Sequence, residues 1–251
     1  MTKVHRRSFL LACVLAVGAC EAPGGSARDV LRKAIEAHGG EKNLAKTLTG
    51  RIKANIEGSL GEVSCRVRLV ETFQLPSQYK RVIDGEVAGK KEHMEYAFTD
   101  GRGWLMRNGD PAKEMTAAKL SLEQHWHTMP VLLTRLLTDG SELTRIPEVQ
   151  ADGKTLTAVK FVKGEIGAEL FFDRQTGLLA RSKRNVHLPL AAGNPAGDQE
   201  GEVAYSDYKD VAGVKYPMTI SASAGNKTSF NIHVTGVQFL DGIEPAEFSK
   251  P

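Results

Sequence analysis

The chain has 251 residues, with 33 lysines and arginines against 30 aspartates and glutamates, a formal charge of +3. Three of those bases (Lys3, Arg6, Arg7) and no acid fall within residues 1–19, so the remainder balances at 30 against 30. A neutral body without a basic stripe or a groove-reading motif excludes a nucleic-acid binder. At about 230 residues it is long enough for one β-rich domain with a sizeable core.

The chain opens on Lys3, Arg6 and Arg7, then runs uncharged from Ser8 to Ala19. As a helix that run reaches about 18 Å, too short for a hydrocarbon core of about 30 Å. Bases first, an apolar middle and small residues (Val17, Gly18, Ala19) before Cys20 make residues 1–19 a secretory signal peptide. Val17-Gly18-Ala19-Cys20 resembles the lipobox of bacterial lipoproteins. That resemblance implies that Cys20 becomes the mature first residue, thioether-linked to diacylglycerol and N-acylated. His5-Arg6-Arg7-Ser8-Phe9-Leu10 resembles a twin-arginine export signal. Residues 20–25 then read as a lipidated tether and residues 26–251 as one domain. With Cys13 in the signal and Cys20 acylated, Cys65 is the remaining thiol. It lies in a strand-like stretch and is expected to be buried and inert, and no zinc spacing is present.

Ser26-Ala27-Arg28-Asp29 has the hydroxyl and carboxylate spacing of a capping box. Val30, Leu31, Ala34 and Ile35 share the face of the helix that follows, which His38-Gly39-Gly40 stops. A short turn over Glu41–Leu48 comes next. From Arg51 the period changes to two: Ile52, Ala54 and Ile56 alternate with Lys53, Asn55 and Glu57. Cys65, Val67, Leu69 and Phe73 likewise oppose Arg66, Arg68 and Thr72. That alternation marks antiparallel strands with one wet face. Strand-like stretches continue over Gln78–Asp84, Lys90–Thr99 and Gly103–Arg107, punctuated by Asp-Gly and Asn-Gly turns.

A helical insert interrupts them. Ser121-Leu122-Glu123-Gln124 is a second capping box, Pro130 starts a further helix and Asp139-Gly140 ends it. Trp126, Met129, Leu132, Leu133, Leu136 and Leu137 make its apolar side. The β pattern then resumes over Glu142–Val149, Thr155–Lys163, Ala168–Asp173, Leu178–His187, Glu202–Lys209, Lys215–Ala224 and Thr228–Phe239, with a loop over His187–Gly201. The fold expected is mainly β with α: a strongly curved antiparallel sheet, an incomplete barrel of about eleven strands, with helices in its concave mouth. Its concave side should be apolar and its convex side charged.

Catalytic signatures are missing. There is no nucleophile elbow, metalloprotease helix, P-loop or dinucleotide fingerprint. His125 and His127 stand two apart, which on a helix points their rings to different sides. Glu92 with Glu95 and Asp207 with Asp210 sit where solvated charge is the default. No catalytic residue, metal or cofactor is therefore expected. The helical insert offers two roles, a plug for the core and a lid over an apolar cavity. Its candidates for cavity and lid are Trp126, Met129, Leu132, Leu133, Leu136 and Leu137, with Phe73 and Trp104 from the sheet.

Ala34–Gly40 with Gly50 beyond it, the hairpin FFDRQTGLLARSKR (Phe171–Arg184), the stretch EVAYSDYKDVAGVKYPMTISAS (Glu202–Ser223) and a closing VTGVQFLDGIEPAEFSKP carry a pattern. It is similar to the outer-membrane lipoprotein carrier and receptor superfamily (LolA/LolB-like), especially its lipoprotein-sorting branch. The resemblance implies a cavity for the acyl chains of lipoproteins or other amphiphiles. The Cys20 anchor implies the membrane-attached receptor rather than the shuttle. Glu21 beside it implies the outer membrane, facing the periplasm. An envelope interaction or sensor module of the same fold, with a protein partner in place of lipid, is the alternative.

Overall fold

The computed structural model describes residues 25–99, 101–115, 130–164, 166–188, 197–225 and 228–251. Residues 1–19, Cys20, the capping box at Ser121, His125, Trp126, His127 and Met129 lie outside the described residues.

Helix α1 (Ala27–Ala37) starts as its sequence predicts. The Asp29 amide donates to Ser26 Oγ (3.3 Å), and the Ser26 amide donates to Asp29 Oδ2 (2.9 Å). Val30, Leu31, Ala34 and Ile35 are buried. Helix α2 (Glu41–Leu44) and a single tight turn (Ala45–Leu48) lead into the sheet.

Among the described residues thirteen strands follow: β1 (Thr49–Leu60), β2 (Val63–Gln74), β3 (Gln78–Val87), β4 (Lys90–Thr99), β5 (Arg102–Arg107) and β6 (Lys113–Met115). Then come helix α3 (130–136), β7 (Glu142–Ala151), β8 (Lys154–Lys163), β9 (Ile166–Asp173), β10 (Leu179–Leu188), β11 (Gly197–Val211), β12 (Val214–Ala224) and β13 (Thr228–Phe239). The strand β6, three residues long, has too little alternation to be read from sequence.

All thirteen form one open, strongly curved antiparallel sheet, in the order β6-β5-β4-β3-β2-β1-β13-β12-β11-β10-β9-β8-β7. Two meanders therefore run outward from a central β1–β13 seam, and β6 and β7 are the free edges. Bulges fall at Lys53/Ala54 against β13, at Ile146/Val149 in β7 and at Leu179/Arg181 in β10. Each adds local twist and bends its strand.

The main core lies on the concave face. Ile52, Ala54, Leu69, Phe73, Phe161, Leu170, Ile220 and Ile232 meet α1 and α3 there. Two glycines let α1 sit close. Any Cβ on Gly39 (φ 119°) would fall 2.1 Å from the Gly213 carbonyl, and one on Gly177 (φ 74°) would fall 2.9 Å from the Ala37 Cβ. The Asn43 side-chain amide bridges the first approach, donating to the carbonyls of Gly39 (2.9 Å) and Gly213 (3.4 Å).

The convex face also departs from expectation, because part of it is apolar and buried. The C-terminal turn Pro245–Phe248 crosses β3 and β4 there and buries Phe248 completely. Arg51, which points outward beside the inward Ile52, pairs with Glu247 (3.2 Å) and holds the tail down. In the other wing Leu156, Ala158 and Phe171 form a second small cluster with Ile146, Ala151 and Ala180.

Candidate functional site

Period-two alternation places Leu69, Glu71 and Phe73 on one face of β2. Register then sets Glu71 opposite Arg81, Phe73 opposite Tyr79, and Arg81 opposite Tyr96. A carboxylate and a guanidinium thus occupy inward positions of an otherwise apolar wall. Glu71 and Tyr79 are fully buried, and Arg81 is nearly so. The Tyr79 hydroxyl donates to Glu71 Oε1 at 2.6 Å and accepts from Arg81 Nε at 2.8 Å. Arg81 Nη2 stands 2.8 Å from the same carboxylate oxygen. A buried charge persists only when paired and hydrogen-bonded. This triad meets that condition.

The opposite wing carries a polar group of its own. Ser182 and Arg184 face inward from β10 and are buried, and Ser182 Oγ lies 3.1 Å from the Tyr205 hydroxyl. Burial pushes the Tyr205 phenol up, and the positive charge of Arg184 opposes that rise. Tyr216 is raised further, by burial and by the negative charge of Glu71. Tyr79, Tyr205 and Tyr216 belong to one continuous core, so the two polar groups share one interior.

His38 ends α1 inside the same interior. Its Nδ1 lies 2.7 Å from the Ala34 carbonyl, and its Nε2 lies 3.4 Å from the Leu179 amide. An amide only donates, so Nε2 accepts, and Nδ1 carries the proton. Burial depresses the imidazole pKa to about 4, which keeps the ring neutral. The Tyr208 ring packs edge-on against it, at 5.6 Å between centroids.

Helix α3 stands just ahead of the free edge β7 in the chain, and its side chains enter the concave core. Pro130, Val131, Leu132, Leu133 and Leu136 are buried there, and Leu137 packs partly buried on the core. Between α1 and β7–β9 lies a groove of about 290 Å³. Val30, Ala34 and Phe172 make its apolar part, and Lys33, Arg145 and Glu148 are among its charged walls. That volume stands at the lower end of ligand sites, about 300–1,000 Å³.

The sequence candidates divide accordingly. Leu132, Leu133, Leu136 and Phe73 meet in the concave core, with Leu137 at its margin. Trp104 does not join them. Register sets Trp104 opposite Ala97 and the inward Leu105 opposite Tyr96, so Trp104 points outward, stacked under Arg102 at 5.3 Å. The correction follows from the pleat: neighbours on a strand take opposite faces. Sequence reasoning also passed over Glu71, Tyr79, Arg81 and Arg184. The signal available was a charged residue recurring at inward positions of the alternation.

The paired carboxylates are neutralised by neighbours. Glu92 accepts from Arg107 (2.7 and 2.8 Å), which lowers its pKa. Glu95 lies between Lys80 (3.0 Å) and His93 (3.1 Å). Asp210 pairs with Lys215 at 3.5 Å. Cys65 is half-buried, and burial raises its pKa, so it stays a thiol. Among the described residues no group of three or more His, Cys, Asp or Glu side chains could hold a metal ion. Among them, too, no helix is long and apolar enough to cross a membrane.

No family's sequence model matches the chain, and no curated protein matches it. Solved structures do match. A LolA superfamily protein from Nitrosomonas europaea superposes with a TM-score of 0.59 at 10% identity, over 90% of this chain and 99% of its own. The fold is LolA-like. An outer membrane lipoprotein-sorting protein domain from Vibrio parahaemolyticus gives a TM-score of 0.55 at 10% identity, over 88% of this chain and 97% of its own. A DUF1329 family protein from Desulfovibrio piger gives 0.57 at 10% identity, over 90% and 98%.

Proposed function

We propose that this is a lipid-anchored protein of the bacterial envelope that binds acyl chains, from lipoproteins or another amphiphile, on its concave face. The observation that carries this is the packing of α3. One apolar helix packs Val131, Leu132, Leu133 and Leu136 onto the concave core of a curved, open sheet. A cover of this kind that swings away would expose Phe73 and its neighbours as the wall of a container. Each methylene withdrawn from water into such a wall gains about 0.8 kcal/mol. The Glu71–Arg81–Tyr79 triad and Arg184 would meet the polar end of the guest. The similar structure named as an outer membrane lipoprotein-sorting domain supports this reading, and Cys20 would supply the attachment. No reaction is required.

Purification from the envelope without detergent, followed by lipid mass spectrometry, tests the proposal. Co-purifying lipid, or saturable uptake of a fluorescent fatty acid by emptied protein, is expected. A protein that is always empty and takes up no probe would end it. Labelled palmitate that still enters the Cys20→Ser variant would end the anchor assignment.

Close packing of the concave face favours a second reading, an envelope interaction module. Phe73, Tyr79, Phe161 and Phe172 are fully buried beneath the helices. Crosslinking that recovers one protein partner and no lipid would select this reading.

A further inference from the structure

We propose that the rim where α1 meets β7 docks on the bilayer and takes anionic phospholipid headgroups. The proposal extends the Cys20 anchor argued above and is tested separately from it.

Three observations place this surface. First, Arg145 Nη1 donates to the Gly25 carbonyl at 2.7 Å, which fixes the start of the folded body at this rim. Cys20 stands five residues earlier, and an extended chain covers at most about 3.6 Å per residue, or about 18 Å in all. With Cys20 acylated, Gly25 cannot stand farther than that from the headgroups.

Second, the charge around Gly25 is unbalanced in a body that is otherwise neutral. Arg28, Arg32, Lys33, Arg145, Lys154 and Arg174 gather about the groove, against Asp29, Glu148 and Asp173. The Arg28 guanidinium ends on the Leu137 carbonyl (2.7 Å) and the Lys33 ammonium on the Arg174 carbonyl (3.5 Å), so neither is cancelled by a carboxylate there. Arg32, Lys154 and Arg174 pair with Asp29 (3.0 Å), Asp173 (3.0 Å) and Glu148 (3.4 Å), yet they keep 61%, 59% and 63% of their side chains exposed. Attraction of a basic residue to an anionic leaflet acts within a Debye length, about 8 Å at physiological salt. The short tether allows that approach.

Third, Leu137 follows the last turn of α3, so Arg28 ties the end of that helix to the same rim. A mouth that opens here opens toward the membrane. An acyl chain would then pass from bilayer to concave face without crossing bulk water.

The test is photocrosslinking of the full chain in its native envelope. A photoreactive residue is placed at Arg32 or Lys154 on the rim, and at Lys90 or Lys91 on the opposite wing. Phospholipid adducts are expected at the first two positions and not at the second two. Each basic residue lost near the surface costs about 1 kcal/mol, roughly fivefold. Arg32→Gln with Lys33→Gln and Arg174→Gln should therefore cut the adduct at position 154 by at least tenfold. The exposed single variant Arg32→Glu should cut it at least fivefold. Equal adducts on both wings, or none on the rim, would overturn the proposal. The mass of the N-terminal peptide from the same sample reads acylation at Cys20. Adducts without acylation would remove the anchor and keep the docking surface, whereas acylation without rim adducts would do the reverse.

Discussion

The two faces of the sheet carry each other's expected chemistry in part. The concave face, which alternation assigns to apolar residues, buries a glutamate, two arginines and several tyrosine hydroxyls. The convex face, assigned to charge, buries Phe248 under a tail and Leu156, Ala158 and Phe171 in a cluster. Curvature explains the exchange. Side chains converge inside a curved sheet, where cross-strand partners can satisfy one another's polar atoms. Outside they diverge, and gaps open that a tail can fill. Sidedness in such a sheet is decided by what covers a residue as much as by where it points.

Unfolding measurements can break that comparison. Glu71→Ala strands Arg81 in the interior, and loss of one partner of a buried ion pair costs about 3–5 kcal/mol. A urea midpoint shifted by less than half of that would mean that the triad is not the sealed unit its distances describe. Phe248→Ala tests the outside. If the tail completes a real core, stability drops by about 3–4 kcal/mol, as it would for Phe73 within. A negligible drop would restore the simple wet-face, dry-face division.

His38 sharpens the concave side by pH. Its folded pKa of about 4 lies below the ordinary 6.5, so the unfolded chain binds the proton more readily. The stability held by the neutral ring is complete above pH 6.5 and is lost as the pH falls toward 4. Two and a half pH units at about 1.36 kcal/mol each come to about 3 kcal/mol. Urea titrations of wild type and His38→Gln should therefore converge between these pH values, and parallel curves would contradict the assignment. The smallest effect belongs to Trp104→Ala. Outward-facing and stacked under an exposed arginine, it should change stability by about 1 kcal/mol or less. A core-sized loss there would return it to the cavity wall.

The wings were legible because their strands alternate. Ile52, Ala54, Cys65, Val67 and Leu69 all fall on the expected side, and the Ser26–Asp29 cap forms as spaced. Asp173 likewise turns its hairpin by accepting the amides of Gln175 (2.9 Å) and Thr176 (3.1 Å). What sequence could not supply was pairing between distant strands. Glu71 is an exposed acid by composition and becomes interior only because Arg81 faces it across β2 and β3. Trp104 is apolar, but its parity relative to Tyr96 depends on the turn between β4 and β5. Phe248 belongs to no periodic element, so nothing local marks it as buried.

The central seam has a consequence for how the molecule comes into being. Gly50 lies beside Phe239 across β1 and β13, so one of the first strands made must wait for the last. Each meander is built of near neighbours and can assemble as it is synthesised, whereas contacts between remote segments close slowly. Until residue 239 is available, two half-sheets exist with unpaired edges at the centre as well as at β6 and β7, and unpaired edges invite association. If the chain is exported as proposed, translocation after folding would hide that interval inside the cell, whereas threading of an unfolded chain would move it beyond the membrane.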